Sequence, residues 1–107
     1  MKTYSGKFDN ESWYQVWLNG EMFSPSRSLK IRNHSPDGYA WSYFGSGPAQ
    51  LALAILLEET DEETAQDLYQ EFKSKVIANL EKVEWSFDSS LVQKFLEDPA
   101  KFVLATV

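Results

Sequence analysis

Residues 45 to 57, Gly45-Ser46-Gly47-Pro48-Ala49-Gln50-Leu51-Ala52-Leu53-Ala54-Ile55-Leu56-Leu57, divide the chain into two unlike halves and decide how it folds. The glycines end whatever precedes them. Pro48 suits the first turn of a helix, where its missing N–H has no intrahelical acceptor. Leu51 to Leu57 is apolar almost all round, the pattern of a helix enclosed on every side rather than laid on a surface. A helix of that kind needs further layers to cover it.

Downstream, the helical period continues. Thr60-Asp61-Glu62-Glu63 reads as a capping box, with Thr60 as N-cap and Glu63 reaching back to its amide. The second helix carries Ala65, Leu68, Tyr69, Phe72, Val76 and Leu80 at spacings of three and four. A third, short helix is expected from Ser89 to Glu97, with Leu91, Val92, Phe95 and Leu96 apolar and a stop near Pro99. Lys101 to Val107 is mostly apolar and is the candidate for a late strand.

Upstream the period is two. Tyr4, Gly6 and Phe8 alternate with Thr3, Ser5 and Lys7. In Trp13 to Leu18, Tyr14, Val16 and Leu18 share one face and Trp13, Gln15 and Trp17 the other, so both faces are expected to be partly covered. Asn19-Gly20 is a strong hairpin signal, because both residues tolerate positive φ. Met22 and Phe23 would form the return strand, broken by Ser24-Pro25-Ser26. From Ser28 the alternation resumes, with Leu29 and Ile31 opposite Ser28, Lys30 and Arg32. A turn at Pro36-Asp37-Gly38 leads to a strand over Tyr39 to Phe44, with Tyr39, Trp41 and Tyr43 on one face. The expected architecture is a single α+β domain over residues 1–107, β-rich in 1–47 and mainly helical in 48–107. In it an antiparallel meander of four or five short strands packs on an αα-hairpin and a short third helix.

Composition bounds the function. The 107 residues include no cysteine, 43% are hydrophobic and 15% aromatic, and Gly and Pro total nine, which excludes collagen-like, coiled-coil and disordered chains. Without Cys there is no disulfide framework, thiolate zinc site or Cys nucleophile. The longest apolar run, Leu51 to Leu57, falls far short of a membrane span, and Met1-Lys2-Thr3-Tyr4 does not open a signal peptide. A soluble, cytoplasmic domain is expected. Sixteen acidic residues against ten basic ones give a formal charge of −6. Residues 1 to 50 hold five basic and four acidic residues, so the excess acid lies in the second half; ten of the sixteen aromatics lie in the first. General binding to duplex nucleic acid is disfavoured, since that affinity comes from Lys and Arg on phosphates.

Asn33-His34-Ser35-Pro36-Asp37-Gly38-Tyr39, then Trp41, then Gly45-Ser46-Gly47-Pro48-Ala49-Gln50-Leu51-Ala52-Leu53-Ala54 resembles the signature of a small domain family of unknown function, found in bacteria, archaea, their viruses and mobile elements. Tyr69-Gln70-Glu71-Phe72-Lys73 resembles its later helical segment, and the likeness covers roughly residues 27 to 80. The resemblance implies a compact α+β domain with no established activity and a viral or mobile-element origin. The sequence departs from the family at Ser42 and Phe44, where Gly is common.

Three groups of residues stand out as candidate sites. Gly45, Ser46 and Gly47 precede a helix, whose amides and dipole suit a phosphate. Arg27, Lys30 and Arg32 on the neighbouring strand, with His34, would face Trp41 and Tyr43 to complete a nucleotide-like pocket. Glycines turning a corner, core aromatics and a solvated basic face account for the same residues without a ligand. His34, Asp37 and Ser46 have the residue types of a catalytic triad, but no nucleophile elbow surrounds Ser46, and Gly-Lys-Ser/Thr of a phosphate-binding loop is missing. The one His has no second His or Cys to form a metal site, so neither cofactor nor metal is expected. Glu59, Glu63, Asp67 and Glu71 form an acidic face that either complements the helix dipole or imitates nucleic-acid phosphates. The reading carried forward is a non-enzymatic binding protein that sequesters a phosphate-bearing small molecule. The alternative is an acidic inhibitor of a host defence protein, of the anti-CRISPR or nucleic-acid-mimic kind.

Overall fold

In the computed structural model, which describes residues 1–104, Asn19 and Gly20 both take positive φ, 52° and 81°. They turn β2 (Trp13–Leu18) back into the two-residue β3 (Glu21–Met22). β1 (Thr3–Asp9) lies antiparallel to β2 with Tyr4 opposite Leu18, Gly6 opposite Val16 and Phe8 opposite Tyr14. The alternation read in both segments therefore faces one way. On the other side of β1 runs β4 (Glu84–Asp88), which sets Trp85 opposite Gly6 and Phe87 opposite Tyr4, so the sheet order is β3-β2-β1-β4. Gly6 is required here by close approach: a Cβ would sit 2.4 Å from the Trp85 indole, which lies across β1.

Among the described residues there are four α-helices: α1 (Ser26–Ile31), α2 (Ser46–Glu59), α3 (Glu62–Lys75) and α4 (Ser89–Glu97). Every residue of α2 from Gly47 to Leu57 is buried, as the apolar run from Leu51 to Leu57 requires. It is the centre of one hydrophobic cluster that joins Tyr4, Val16 and Trp85 of the sheet to Ala65, Phe72, Val92 and Phe95 of the other helices and to Val76 just after α3. The opposite sheet face is largely open: Thr3, Lys7, Glu84 and Ser86 are exposed, while Gln15 and Trp17 are half-buried. The fold is α+β, with an antiparallel sheet on a helical layer. No helix of the described residues is long and apolar enough to cross a membrane.

Five local expectations are corrected. Residues 26 to 31 form helix, not strand, and Arg32 closes it: Pro25 supplies a helical φ of −79°, and the Leu29 and Arg32 amides donate back to Pro25 O and Ser28 O. Two apolar residues, Leu29 and Ile31, were too short a run to tell the two periods apart. Residues 39 to 44 are irregular rather than a strand. Tyr39, Ala40 and Trp41 are all buried, so burial does not alternate as it would along a strand with one open face, and Ser42 takes a φ of 71° that breaks any extended run. The strand that completes the sheet is β4, whose Glu-Trp-Ser-Phe-Asp alternation lies in the half read as helical. Thr60 closes α2, its amide and hydroxyl both donating to Leu56 O, so Asp61 caps α3 instead, accepting from the Thr64 amide at 2.8 Å. That hydrogen bond holds the Asp61 carboxyl below the usual range. Finally, residues 101 to 104 hold no strand; the rest of the expected late strand, 105 to 107, lies outside the described residues.

Candidate functional site

The first link between the 27–50 region and the core is a buried amide. The Gln50 side chain has no exposed surface and makes hydrogen bonds with both ends. Its Nε2 donates to Ser28 Oγ (2.9 Å) and Arg32 O (3.0 Å), and its Oε1 accepts from the amides of His34 (2.8 Å) and Ser35 (3.2 Å). Ser28 Oγ in turn donates to Pro25 O. Gln50 therefore fastens α1 and the loop after it onto the start of α2. The Gln of the Gly-Ser-Gly-Pro-Ala-Gln run has a structural use that needs no ligand.

The expected basic-aromatic pocket does not assemble. With 26–31 helical, Arg27 reaches Glu58 (Nη1 to Oε2, 3.4 Å), and Lys30 and Arg32 are exposed without bordering the cavity described below. Trp41 is wholly buried, edge-on to Tyr14 and Trp85, with its Nε1 donating to Lys82 O at 2.9 Å, so it offers no platform. His34 Nε2 lies 2.7 Å from the Tyr69 hydroxyl, and no hydrogen bond among the described residues joins His34 to Asp37 or Ser46. Gly47 packs against Ala40, where a Cβ would come within 2.6 Å of the Ala40 Cβ. No group of three or more potential metal ligands occurs among the described residues.

A different set of residues does converge. A cavity of about 380 Å³ opens between the β1–β2 turn and the start of α2. Ser12, Trp13 and Tyr14 form one wall, Ser35, Asp37, Gly38, Tyr39 and Ala40 a second, and Tyr43, Ser46 and Gly47 a third. Of the expected site residues, Tyr43, Ser46 and Gly47 are here, together with Asp37 from the triad reading. Gly45 does not line the cavity, although the Tyr43 ring lies within 2.5 Å of where its Cβ would be. No side chain caps α2. The Tyr39 hydroxyl donates to Ser24 O at 2.9 Å, and burial pushes its pKa well above the ordinary phenol value, so it stays neutral. A second cavity of about 410 Å³, by Ser74, Lys75, Asn79 and residues 102 to 104, holds none of the residues singled out from the sequence.

Trp13 is one of several lining residues that sequence reading missed, with Ser12, Tyr14 and Ser35 among the others. Alternation placed it with Gln15 and Trp17 on the far face, and its backbone partner is Asp9. Its φ of 60° instead directs the side chain to the end of the sheet, edge-on to Phe8 at 6.4 Å. The signal in the sequence was the Asp9-Asn10-Glu11-Ser12 turn, whose Asp9 carboxylate accepts from the Glu11 and Ser12 amides. A turn stapled that tightly leaves the residue after it to absorb the change in direction.

A model of a family of unknown function, DUF6166, matches residues 4–98, from the first strand through the last helix. The chain belongs to that family. Neither the curated proteins nor the solved structures offered a match. In this DUF6166 domain Ser42 takes a positive φ, where Gly would be the relaxed choice. Ser42 is held there by its amide on Ile77 O and its hydroxyl on Leu80 O.

The acidic face of the DUF6166 domain is not uniform. Glu63 and Asp67 are exposed, but Glu71 pairs with Lys75 at 3.0 Å. Glu59 belongs to α2 and works internally: its Oε2 accepts from the buried Tyr4 hydroxyl (2.7 Å) and from Ser89 Oγ (2.8 Å). Burial and that carboxylate raise the Tyr4 pKa far above its ordinary value. Glu59→Lys is expected to destabilise the fold by about 2 to 3 kcal/mol, the cost of leaving a buried hydroxyl beside a misplaced charge. Glu63→Lys should shift stability by less than about 0.5 kcal/mol. Urea denaturation of the two variants checks this, and equal midpoints would show that Glu59 has no internal role.

Proposed function

We propose that this chain is a non-enzymatic binding protein whose site is the cavity between the β1–β2 turn and the start of α2, and whose ligand is small and nucleotide-like. The observation that carries the reading is the meeting of Trp13 with Asp37, Tyr43 and Ser46 around about 380 Å³. Aromatic walls with a few polar groups are the usual make-up of a small-molecule site, and the volume is at the small end of that class. Trp13 and Tyr43 supply π-faces for a planar base. Asp37 and the hydroxyls of Ser12, Ser35 and Ser46 supply partners for base and sugar. In the setting implied by the resemblance, a virus or mobile element uses such a protein to withdraw the ligand in its host's cytoplasm. The inhibitor alternative has less support, because Glu59 and Glu71 are engaged within the fold.

Isothermal calorimetry with nucleosides, nucleoside monophosphates and cyclic nucleotides tests this. At least one should bind saturably, and Arg32→Ala should change its affinity by less than about twofold, since Arg32 does not border the cavity. A panel in which nothing binds at millimolar concentration ends the reading.

A further inference from the structure

We infer that this cavity selects its ligand by an uncharged planar ring, so that it holds a nucleoside better than the phosphorylated forms; the inference rests on the binding reading above. The first support is Trp13. A bulky residue in the left-handed region is a backbone outlier, and such outliers gather where function requires them. Here φ is 60° and the side chain remains 66% exposed, so burial does not account for the conformation. The indole lies edge-on to Phe8, off the open sheet face, and Trp13 lines the cavity. The second support is Tyr43, 46% exposed on another wall, its ring resting against the bare backbone of Gly45. Two exposed aromatic rings thus border one small cavity, the arrangement on which a base stacks irrespective of its sequence of substituents.

The third support is charge. Asp37 is the one residue charged at neutral pH among those lining the cavity. Lys82, beside the lining residue Tyr14, is already engaged, with Nζ 4.4 Å from the Phe8 ring centre and 4.3 Å from that of Tyr14 and a hydrogen bond to the Tyr14 hydroxyl. Arg27, Lys30 and Arg32 stand outside. A ligand phosphate would therefore meet a carboxylate and a chain of net charge −6 with no lining cation to neutralise it. The hydroxyls and amino group of a nucleoside, by contrast, donate to a carboxylate favourably.

Calorimetry at low salt with adenosine, guanosine, uridine and their mono- and triphosphates decides the matter. The preferred nucleoside should bind at least as tightly as its monophosphate and about tenfold or more tighter than its triphosphate, with the gap narrowing as salt is added. Trp13→Ala and Tyr43→Ala should each weaken the nucleoside by about five- to a hundred-fold. Asp37→Asn should narrow the gap between nucleoside and triphosphate. Trp13→Gly relaxes the backbone, so it should lose binding as Trp13→Ala does while melting no lower than the parent. Affinity that rises with each added phosphate overturns the inference and leaves the binding reading standing. Unchanged nucleoside binding in Trp13→Ala also overturns it. Failure of every nucleoside and nucleotide to bind sinks both.

Discussion

Leu53→Asp gives a chain without a cooperative thermal transition. Leu53 sits at the middle of α2 with no exposed surface, and its neighbours Ala52, Ala54, Ile55 and Leu56 are equally enclosed. A carboxylate there finds neither water nor a cation, and whether it ionises or takes up a proton the penalty is several kcal/mol, added to the lost burial of the leucine. Domains of this size are stable by only about 5 to 15 kcal/mol, so the loss is comparable to the whole. Leu53→Met, which keeps volume and apolarity, should cost less than about 1.5 kcal/mol and fold normally. Circular dichroism melts of the two variants make the comparison. A Leu53→Asp transition within a few degrees of the parent would mean that α2 is not the centre of the core.

Gln50→Ala should cost about 3 to 5 kcal/mol, far more than truncating a glutamine on a surface. Three groups lose their partner at once, the amides of His34 and Ser35 and the carbonyl of Arg32, and the Ser28 hydroxyl keeps only the bond it donates to Pro25 O. Each buried group left unpaired costs about 1 to 3 kcal/mol, reduced where water can enter, as it can beside the half-buried His34 and Ser35. Gln50→Glu keeps an acceptor for the two amides but turns a second oxygen toward Arg32 O, so it should recover only part of the loss. Beyond the drop in denaturation midpoint, amide exchange over residues 33 to 44 should quicken in Gln50→Ala, because that loop loses its anchor. Protection there equal to the parent's would show that the loop is held by other contacts.

The two variants probe features that were legible to different degrees. The burial of α2 follows from composition alone: seven consecutive apolar residues leave no face for water, whatever surrounds them. The same holds for the Asn19-Gly20 turn, whose residue types permit positive φ, and for α4, whose apolar positions and following Pro99 mark both its face and its end. These are local properties, and local chemistry is sufficient for them. The role of Gln50 was not legible, because a glutamine in an apolar helix is placed only when its four partners are brought up from elsewhere in the chain. β4 was written in the sequence as alternation at Trp85 and Phe87, yet its position beside β1 depends on a pairing between residues some eighty positions apart.

For the candidate site the division is sharper. Residue types in the sequence singled out Tyr43, Ser46 and Gly47, which also line the cavity, since glycines before a helix mark a place where backbone comes close to something. What comes close to Gly47 is Ala40, and what borders the cavity beside it is Trp13, thirty-four positions earlier. The alternation of β2 assigns Trp13 to the opposite face, and only the φ of 60° after the Asp9 turn reverses that assignment. By itself the sequence determined which segments are apolar enough to be core and which residues can turn the chain. Tertiary structure decided which side chains share the cavity, because periodicity sets a side chain's direction only while the backbone stays regular, and here the site is built where it does not.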